Sequence, residues 1–231
     1  MLYLKKLNTL SPFDWFLIVG IISLNIIHSL LLRDIDLIGS IAGISGVVCV
    51  VLVAKGNILN YLFGVINVAL YAYISFKAEL YGDAVLNAFY YVPMQFIGWF
   101  SWIKKREAND SVTVTSKRMN TRERIMLLIF STAMVLIVGY ILTKFNDPQP
   151  YKDSATTVLS VIAMFLMVRT YMEQWVLWVV VNIISVIMWV VAFLRGDSHS
   201  MLMVIMWIFY LANSINGWIV WVRLSARKES N

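Results

Sequence analysis

The sequence predicts an all-α integral membrane protein with eight transmembrane helices. Its composition, the positions of its charges and an internal repeat each support this prediction. Of the 231 residues, 60% are hydrophobic and only 14% are charged, whereas a soluble domain is about 45–50% apolar and about 25% charged. This composition excludes an ordinary soluble enzyme, a disordered chain and a nucleic-acid-binding domain. A membrane span takes about 20 residues, so the chain has room for roughly seven or eight of them.

The charged residues are confined to short segments between eight uncharged runs. Ionised side chains are costly in hydrocarbon, and backbone hydrogen bonding in lipid makes each spanning run a helix. The sixth run is short, and we expect its helix to extend toward Tyr171, with the Arg169 side chain reaching the membrane surface. The runs without Asp, Glu, Lys or Arg are 15–32, 37–53, 58–76, 84–103, 125–142, 155–168, 175–194 and 201–222.

The distribution of Lys and Arg predicts that both termini lie in the cytoplasm. With the N-terminus inside, 14 of the 19 Lys and Arg residues fall on the cytoplasmic side and 5 on the other side, which is the bias that sets orientation. Seven of them lie in the segment 104–124. We interpret this segment as a solvated loop that sets the topology, with contact to anionic lipid as an added contribution.

Two parts of the chain resemble each other and predict a duplicated three-helix unit. With an offset of 115 residues Asn67 aligns with Asn182, and with an offset of 119 the Gly-Trp-x-x-Trp motif at Gly98 aligns with the one at Gly217. Two three-helix units run parallel only if an odd helix separates them, which predicts one leading helix and a 3+1+3 parallel repeat. The predicted domains are an N-terminal segment with an accessory helix (1–36), a first unit (37–103), a basic loop with a linker helix (104–154), a second unit (155–222) and a cytoplasmic tail (223–231).

Four of the predicted spans carry amide and aromatic side chains at helical spacing. Residues three, four or seven positions apart share one helix face, and amides in a membrane need partners, so we expect these stripes to face inward. Hydrogen bonds between helices are an alternative explanation for each amide. We interpret Trp102, Trp221 and Trp15 instead as interfacial belt residues. The stripes are Asn60, Gly64, Asn67 and Tyr71; Asn87, Tyr91, Gln95, Gly98 and Trp102; Trp175, Trp178, Asn182, Ser185 and Trp189; and Tyr210, Asn213, Gly217 and Trp221.

The stripes suit a flat, polar ligand that is neutral or a single cation. Aromatic faces stack on a heteroaromatic ring and attract a cation, while amides hydrogen-bond a carboxamide or hydroxyl groups. The eight runs contain no Asp or Glu, and proton-coupled carriers place titrating carboxylates in the membrane, so we expect uncoupled transport. His28 lies in the accessory first span, and we interpret it as structural. Pro93 should kink the fourth span, and Gly98 and Gly217 should allow close helix approach.

These residues resemble the PnuC family of vitamin transporters, over roughly residues 37–222. The resemblance implies a bacterial inner-membrane transporter with a SWEET-like fold that takes up nicotinamide riboside, an NAD precursor, by facilitated diffusion. Cytoplasmic phosphorylation would trap the substrate, and the family also implies a homotrimer. Members carry thiamine or riboflavin as well, so these substrates remain alternatives. The resembling motifs are Gly64-x-x-Asn67-x-x-x-Tyr71, Leu80-Tyr81-Gly82-Asp83, Asn87, Tyr91, Gln95-x-x-Gly98-Trp99-x-x-Trp102, Gln174-Trp175-x-x-Trp178-x-x-x-Asn182 and Asn213-x-x-Asn216-Gly217-Trp218.

We therefore predict ten substrate-contacting residues and three conformational hinges. No catalytic residue, cofactor or nucleic-acid partner is expected, and the single cysteine, Cys49, excludes a multi-cysteine metal site. The predicted contacts are Trp178, Asn182, Asn67, Tyr71, Gln95, Tyr91, Trp175, Trp189, Asn213 and Asn216, and the hinges are Pro93, Gly98 and Gly217.

Two other kinds of membrane protein are alternatives to a transporter. Gly43-Ile44-Ser45-Gly46 matches the nucleophile motif of rhomboid proteases, which makes an intramembrane serine protease using Ser45 a remote alternative. Such an enzyme also needs a membrane-embedded histidine as its base, and His199, the only histidine after Ser45, falls in a predicted outside loop. An ion channel would use a carbonyl filter or charged rings, and the sequence contains no such pattern.

Overall fold

The computed structural model describes residues 10–32, 37–77, 81–108, 113–147, 149–195 and 200–226. The side chain of His28, Leu80 of the family resemblance and His199 lie outside these described residues. The helices Tyr81–Leu86 and Val92–Ala108 are joined without a break by a π-helical turn, so the described residues contain eight helical segments, which confirms the eight predicted helices. The helices are α1 (Pro12–Leu32), α2 (Leu37–Ala54), α3 (Asn60–Lys77), α4 (Tyr81–Leu86), α5 (Val92–Ala108), α6 (Thr121–Lys144), α7 (Pro150–Val168), α8 (Gln174–Leu194) and α9 (Ser200–Ala226), and the π-helical turn Asn87–Tyr91 joins α4 to α5.

The helix of the sixth run extends in the direction opposite to the one predicted. It begins at Pro150, whose fixed φ suits the first helical position, and it ends at Val168. Thr170 has a φ of 63°, a left-handed conformation that cannot continue a right-handed helix. The expected extension toward Tyr171 is therefore wrong, and Arg169 is the residue that caps the helix.

Five of the described helices are long and apolar enough by themselves to cross a membrane. They are α2, α6 and α7, together with most of α8 and α9, and α1 adds a shorter apolar stretch, Pro12–Ile27. The other two segments, α3 and α4–α5, carry the amide and tyrosine stripes of the first predicted unit. A helix with these side chains needs polar partners within the protein when it lies in lipid.

The first compact unit of the chain ends at Trp99. Within it, α2 packs against α1 and α3, and α3 packs against α4 and the π-helical turn. The fully buried carboxylate of Asp14 accepts hydrogen bonds from the backbone and hydroxyl of Ser11, at 2.6 and 2.7 Å. It also pairs with Lys55 Nζ at 2.6 Å, which ties the start of α1 to the end of α2.

The second compact unit begins at Phe100. Within it, α7 packs against α6 and α8, and α8 packs against α9. A capping box between Asn120 and Glu123 starts α6, because each side chain bonds the other residue's backbone N–H and satisfies donors left open at a helix end. The apolar core lies between α7 and α8, and its buried members are Leu159, Ala163, Leu166, Leu177 and Val181.

Candidate substrate-binding site

In the first unit, the amide of Asn67 joins α3 to α2. Its Nδ2 donates a hydrogen bond to the Ala42 carbonyl oxygen at 2.8 Å, and Ser45 Oγ donates to the same oxygen at 3.0 Å. One of the two N–H groups of Asn67 is therefore used for packing between helices. Ser45, with 5% of its surface exposed, is held by its own helix.

Gln95 presents a buried carbonyl oxygen in the first unit. Its side chain is 4% exposed, and its Oε1 has no hydrogen-bond partner among the described residues. The amide fits against Gly64, where a Cβ would overlap it. An unsatisfied buried acceptor costs about 1–3 kcal/mol. A polar ligand that donates a hydrogen bond to Gln95 Oε1 would remove this cost.

The fourth span contains a π-helical turn next to Pro93, the residue at which the sequence predicts a kink. The π-helical turn Asn87–Tyr91 ends two residues before this proline, which lacks the N–H of a regular helical turn, and π-helical turns are frequent at functional sites. Tyr91 packs edge-to-face on Tyr90, with ring centroids 5.1 Å apart, and Tyr71 is half exposed. Flexing of the span at Pro93 stays a prediction.

In the second unit, Asn182 joins α8 to α9. Its Nδ2 donates to Ser214 Oγ at 2.7 Å, and that hydroxyl donates in turn to the Tyr210 carbonyl oxygen at 2.9 Å. Asn182 and Asn213, the residue before Ser214, are both buried. Trp178 is partly buried and packs against the apolar core, so the predicted stripe does face inward here.

Several buried polar atoms of the second unit have no hydrogen-bond partner among the described residues. They include both amide atoms of Gln174, the indole nitrogens of Trp175 and Trp207, and Asn216 Nδ2. Buried polar groups are nearly always hydrogen-bonded in folded proteins, so each of these needs an explanation. A bound polar ligand that forms hydrogen bonds with these atoms would explain them.

Two of these residues, Gln174 and Trp207, are not among the contacts predicted from the sequence. Gln174 is fully buried and directly precedes Trp175 in the motif that carries the family resemblance. Trp207 packs edge-to-face on Tyr210, with ring centroids 5.7 Å apart. It precedes Tyr210 by three residues, so extending the stripe of α9 by one turn would have found it.

The belt interpretation of Trp102 and Trp221 is wrong, because both side chains are fully buried. Trp102 Nε1 donates a hydrogen bond to the Met167 carbonyl oxygen at 3.2 Å. The Trp221 ring lies 6.0 Å from the rings of both Trp102 and Trp175. The three indoles form an internal aromatic cluster, whereas Trp15 is 51% exposed and keeps the belt interpretation.

The two Gly-Trp-x-x-Trp glycines each accommodate an aromatic ring. A Cβ on Gly217 would lie 2.5 Å from the Trp175 ring, and a Cβ on Gly98 would overlap the Tyr61 ring. Tyr61 is the second residue of α3, and Trp175 is the second residue of α8. The same contact between a glycine and an aromatic ring therefore occurs once in each unit.

Comparisons with known proteins identify the family of this chain. The sequence model of the nicotinamide mononucleotide transporter family matches residues 36–223. The chain is 40% identical to the nicotinamide riboside transporter PnuC of Neisseria mucosa over 195 residues, which cover 82% of this chain and 73% of that protein. It is 30% identical to the nicotinamide riboside transporter PnuC of Escherichia coli, with 80% and 86% covered.

A solved structure has the same fold as this chain. The crystal structure of the vitamin B3 transporter PnuC is 34% identical, and it matches 94% of each chain with a TM-score of 0.77. These relatives are transporters, so the protease considered for Ser45 is not supported, and this chain is not an enzyme. A family match over most of the chain, with relatives at these identities, shows that the chain belongs to the PnuC family of membrane transporters.

Proposed function

We propose that this protein takes up nicotinamide riboside across the bacterial cytoplasmic membrane. Two of its relatives carry that substrate in their names. The observation that carries the proposal is the set of buried amides and aromatic rings within the uncharged runs of the helices. Such a surface stacks on a pyridinium ring and hydrogen-bonds a carboxamide and ribose hydroxyl groups.

The absence of charged residues from the eight runs favours the riboside over its mononucleotide. The mononucleotide is the substrate that the family description names. The mononucleotide adds a phosphate, which carries a charge of about −1.5 to −2 at pH 7 and is typically bound by Arg or Lys. The eight uncharged runs contain neither residue. Nicotinamide riboside carries one positive charge, which aromatic faces stabilise without a carboxylate. Thiamine, also a flat cation, and riboflavin remain alternatives for the binding experiment below.

The predicted contacts have different roles in this proposal. We assign stacking to Trp178 and Trp189, which are only partly buried, and hydrogen bonding to Asn182, Gln95 and Asn216. The bond from Asn182 to Ser214 orients that amide and uses one of its donor groups. Trp175 packs against Gly217, and it stays a proposed contact because its indole nitrogen has no hydrogen-bond partner among the described residues. The other proposed contacts are Asn67, Tyr71, Tyr91 and Asn213, and we add Gln174 and Trp207 to them.

The architecture we propose is the SWEET-like parallel repeat with the domain boundaries given above. The glycine–aromatic contact that occurs once in each unit supports a duplication. Alternating access would use Pro93, beside its π-helical turn, as a flexing point, with Gly98 and Gly217 as the packing surfaces on which the last helix of each unit moves. Transport is uncoupled, and phosphorylation in the cytoplasm retains the substrate. The protein is a homotrimer with both termini in the cytoplasm.

Calorimetric titration of the purified protein tests the substrate. Nicotinamide riboside should bind, and its mononucleotide, thiamine and riboflavin should bind at least tenfold more weakly. Asn182→Ala should weaken riboside binding at least tenfold. Asn25→Ala is the matched control, because Asn25 is an amide of α1 that bonds the Ile21 carbonyl of its own helix. Tighter binding of another vitamin would overturn the substrate, and unchanged affinity in a folded Asn182→Ala protein would overturn that contact.

A further inference from the structure

Ser214 lies between the amide of Asn182 and the backbone of its own helix. Its Oγ accepts a hydrogen bond from Asn182 Nδ2 at 2.7 Å and donates one to the Tyr210 carbonyl oxygen at 2.9 Å. Ser214 and Asn182 are each 4% exposed, so both bonds are shielded from water. Ser214 is not among the residues predicted to contact the substrate, and the role inferred for it below rests on the proposed function.

The hydroxyl of Ser214 determines which end of the Asn182 amide faces α9. A hydroxyl carries one hydrogen, and Ser214 donates it to the Tyr210 carbonyl oxygen, so toward Asn182 this group only accepts. The NH2 end of the amide must therefore face Ser214. A reversed amide would direct its oxygen at the hydroxyl, and one of the two hydrogen bonds would be lost. The oxygen Oδ1 is the end of Asn182 that accepts no hydrogen bond from the described residues.

The amide that aligns with Asn182 in the first unit has the same orientation for an independent reason. Asn67 Nδ2 donates to the Ala42 carbonyl oxygen at 2.8 Å. A backbone carbonyl only accepts, so the NH2 end of Asn67 faces α2, and Oδ1 is its remaining acceptor. The partner is a backbone carbonyl in one unit and a serine hydroxyl in the other. This agreement between different partners favours a common role for the amide oxygen.

We propose that Ser214 is a positioning residue, which holds Asn182 so that its Oδ1 accepts a hydrogen bond from the substrate. The substrate group is then a donor, either the carboxamide N–H or a ribose hydroxyl of the riboside. An ionised carboxylate carries no hydrogen and would face the amide oxygen without a hydrogen bond. Fixing the amide in advance also reduces the entropy lost when the substrate binds.

The test is calorimetric binding of nicotinamide riboside to the purified protein and its variants. Ser214→Ala removes the partner of Asn182, and Ser214→Thr keeps a hydroxyl that can bond a carbonyl one turn earlier. Ser131→Ala is the matched control, because the buried Ser131 hydroxyl bonds the Leu128 carbonyl oxygen of its own helix and no amide of the described residues. The double variant of Ser214→Ala with Asn182→Ala shows whether Ser214 acts through that amide.

We expect Ser214→Ala to weaken riboside binding about fivefold or more, and Ser214→Thr and Ser131→Ala to stay within about twofold of the unchanged protein. In the Asn182→Ala background, Ser214→Ala should have no further effect, whereas a general loss of packing would weaken binding again. The inference is overturned if Ser214→Ala binds like the unchanged protein, if its full effect persists without Asn182, or if a folded Ser214→Thr loses as much affinity as Ser214→Ala.

Two analogues of the riboside identify the donor group. One carries a carboxylate in place of the carboxamide, and the other lacks the ribose hydroxyls. If the effect of Ser214→Ala disappears with the first analogue, the donor is the carboxamide N–H, and if it disappears with the second, the donor is a ribose hydroxyl. An effect of the same size with both analogues would overturn the role given to Asn182 Oδ1. Absence of riboside binding by the unchanged protein would overturn the proposed function, and this inference with it.

Discussion

Replacing Gly217 by Ala tests the contact between α9 and the aromatic cluster of the second unit. The added Cβ would lie 2.5 Å from the Trp175 ring, closer than non-bonded carbon atoms approach. This ring cannot move away at low cost, because its side chain is 2% exposed and it packs edge-on against Trp221 at 6.0 Å. Either α8 or α9 must therefore shift to accept the methyl group.

The expected cost follows from two opposing effects. Overpacking a buried site costs about 1–3 kcal/mol, while Ala in place of Gly within a helix gains up to about 1 kcal/mol. Gly82→Ala is a matched control, because no atom lies within 4 Å of the added methyl group there. Gly82 lies in the first turn of α4, where Ala gains less than in a helix interior. Because only Gly217→Ala overpacks a buried site, it should be less stable than Gly82→Ala by up to about 3 kcal/mol.

The assay is reversible unfolding in mixed detergent micelles, followed by far-UV circular dichroism. A double-mutant cycle with Trp175→Phe adds specificity, because the smaller ring leaves room for the methyl group. The cost of Gly217→Ala should fall by at least about 1 kcal/mol in that background. Equal stability of Gly217→Ala and Gly82→Ala, or a cost of Gly217→Ala that Trp175→Phe leaves unchanged, would refute the steric argument.

Three further predictions use the same unfolding measurement. Trp102→Phe should lose about 1–3 kcal/mol, because the indole is fully buried and its N–H is hydrogen-bonded, whereas exposed Trp15→Phe should change stability by less than about 0.5 kcal/mol. Glu173→Gln should lose about 1–3 kcal/mol, because it removes the charge that faces Arg124; no loss would mean that this pair is not stabilising. Since the pKa of Lys105 is lowered from 10.5 to about 8, the folded state binds fewer protons than the unfolded state between these pH values. The free energy of unfolding should therefore rise with pH over that interval, and the rise should be smaller in Lys105→Met.

The helices could be predicted from the sequence because charge is excluded from lipid so strongly. All eight uncharged runs correspond to described helical segments, including the amide-rich α3 and α4–α5. The end of α7 could not be predicted, because it depends on a left-handed conformation at Thr170. Glycine is the usual residue in that conformation, and a threonine there gives no local signal.

The site was harder to predict than the helices, because its contacts depend on how each helix is rotated. Tryptophan suits both a membrane interface and a core, so the sequence did not reveal that Trp102 and Trp221 are buried. The acceptor of Asn67 is a backbone carbonyl of α2, and that of Asn182 is a serine of α9. Neither partner follows from the spacing of residues along one helix.

Uptake of labelled nicotinamide riboside into liposomes containing the purified protein, without any ion gradient, is the most direct test of the proposed transport. The label should equilibrate until the inside and outside concentrations are equal. Unlabelled riboside should compete, and the mononucleotide should not. Absence of protein-dependent uptake, equal uptake of the mononucleotide, or accumulation driven by a pH or Na⁺ gradient would contradict an uncoupled carrier with an uncharged site.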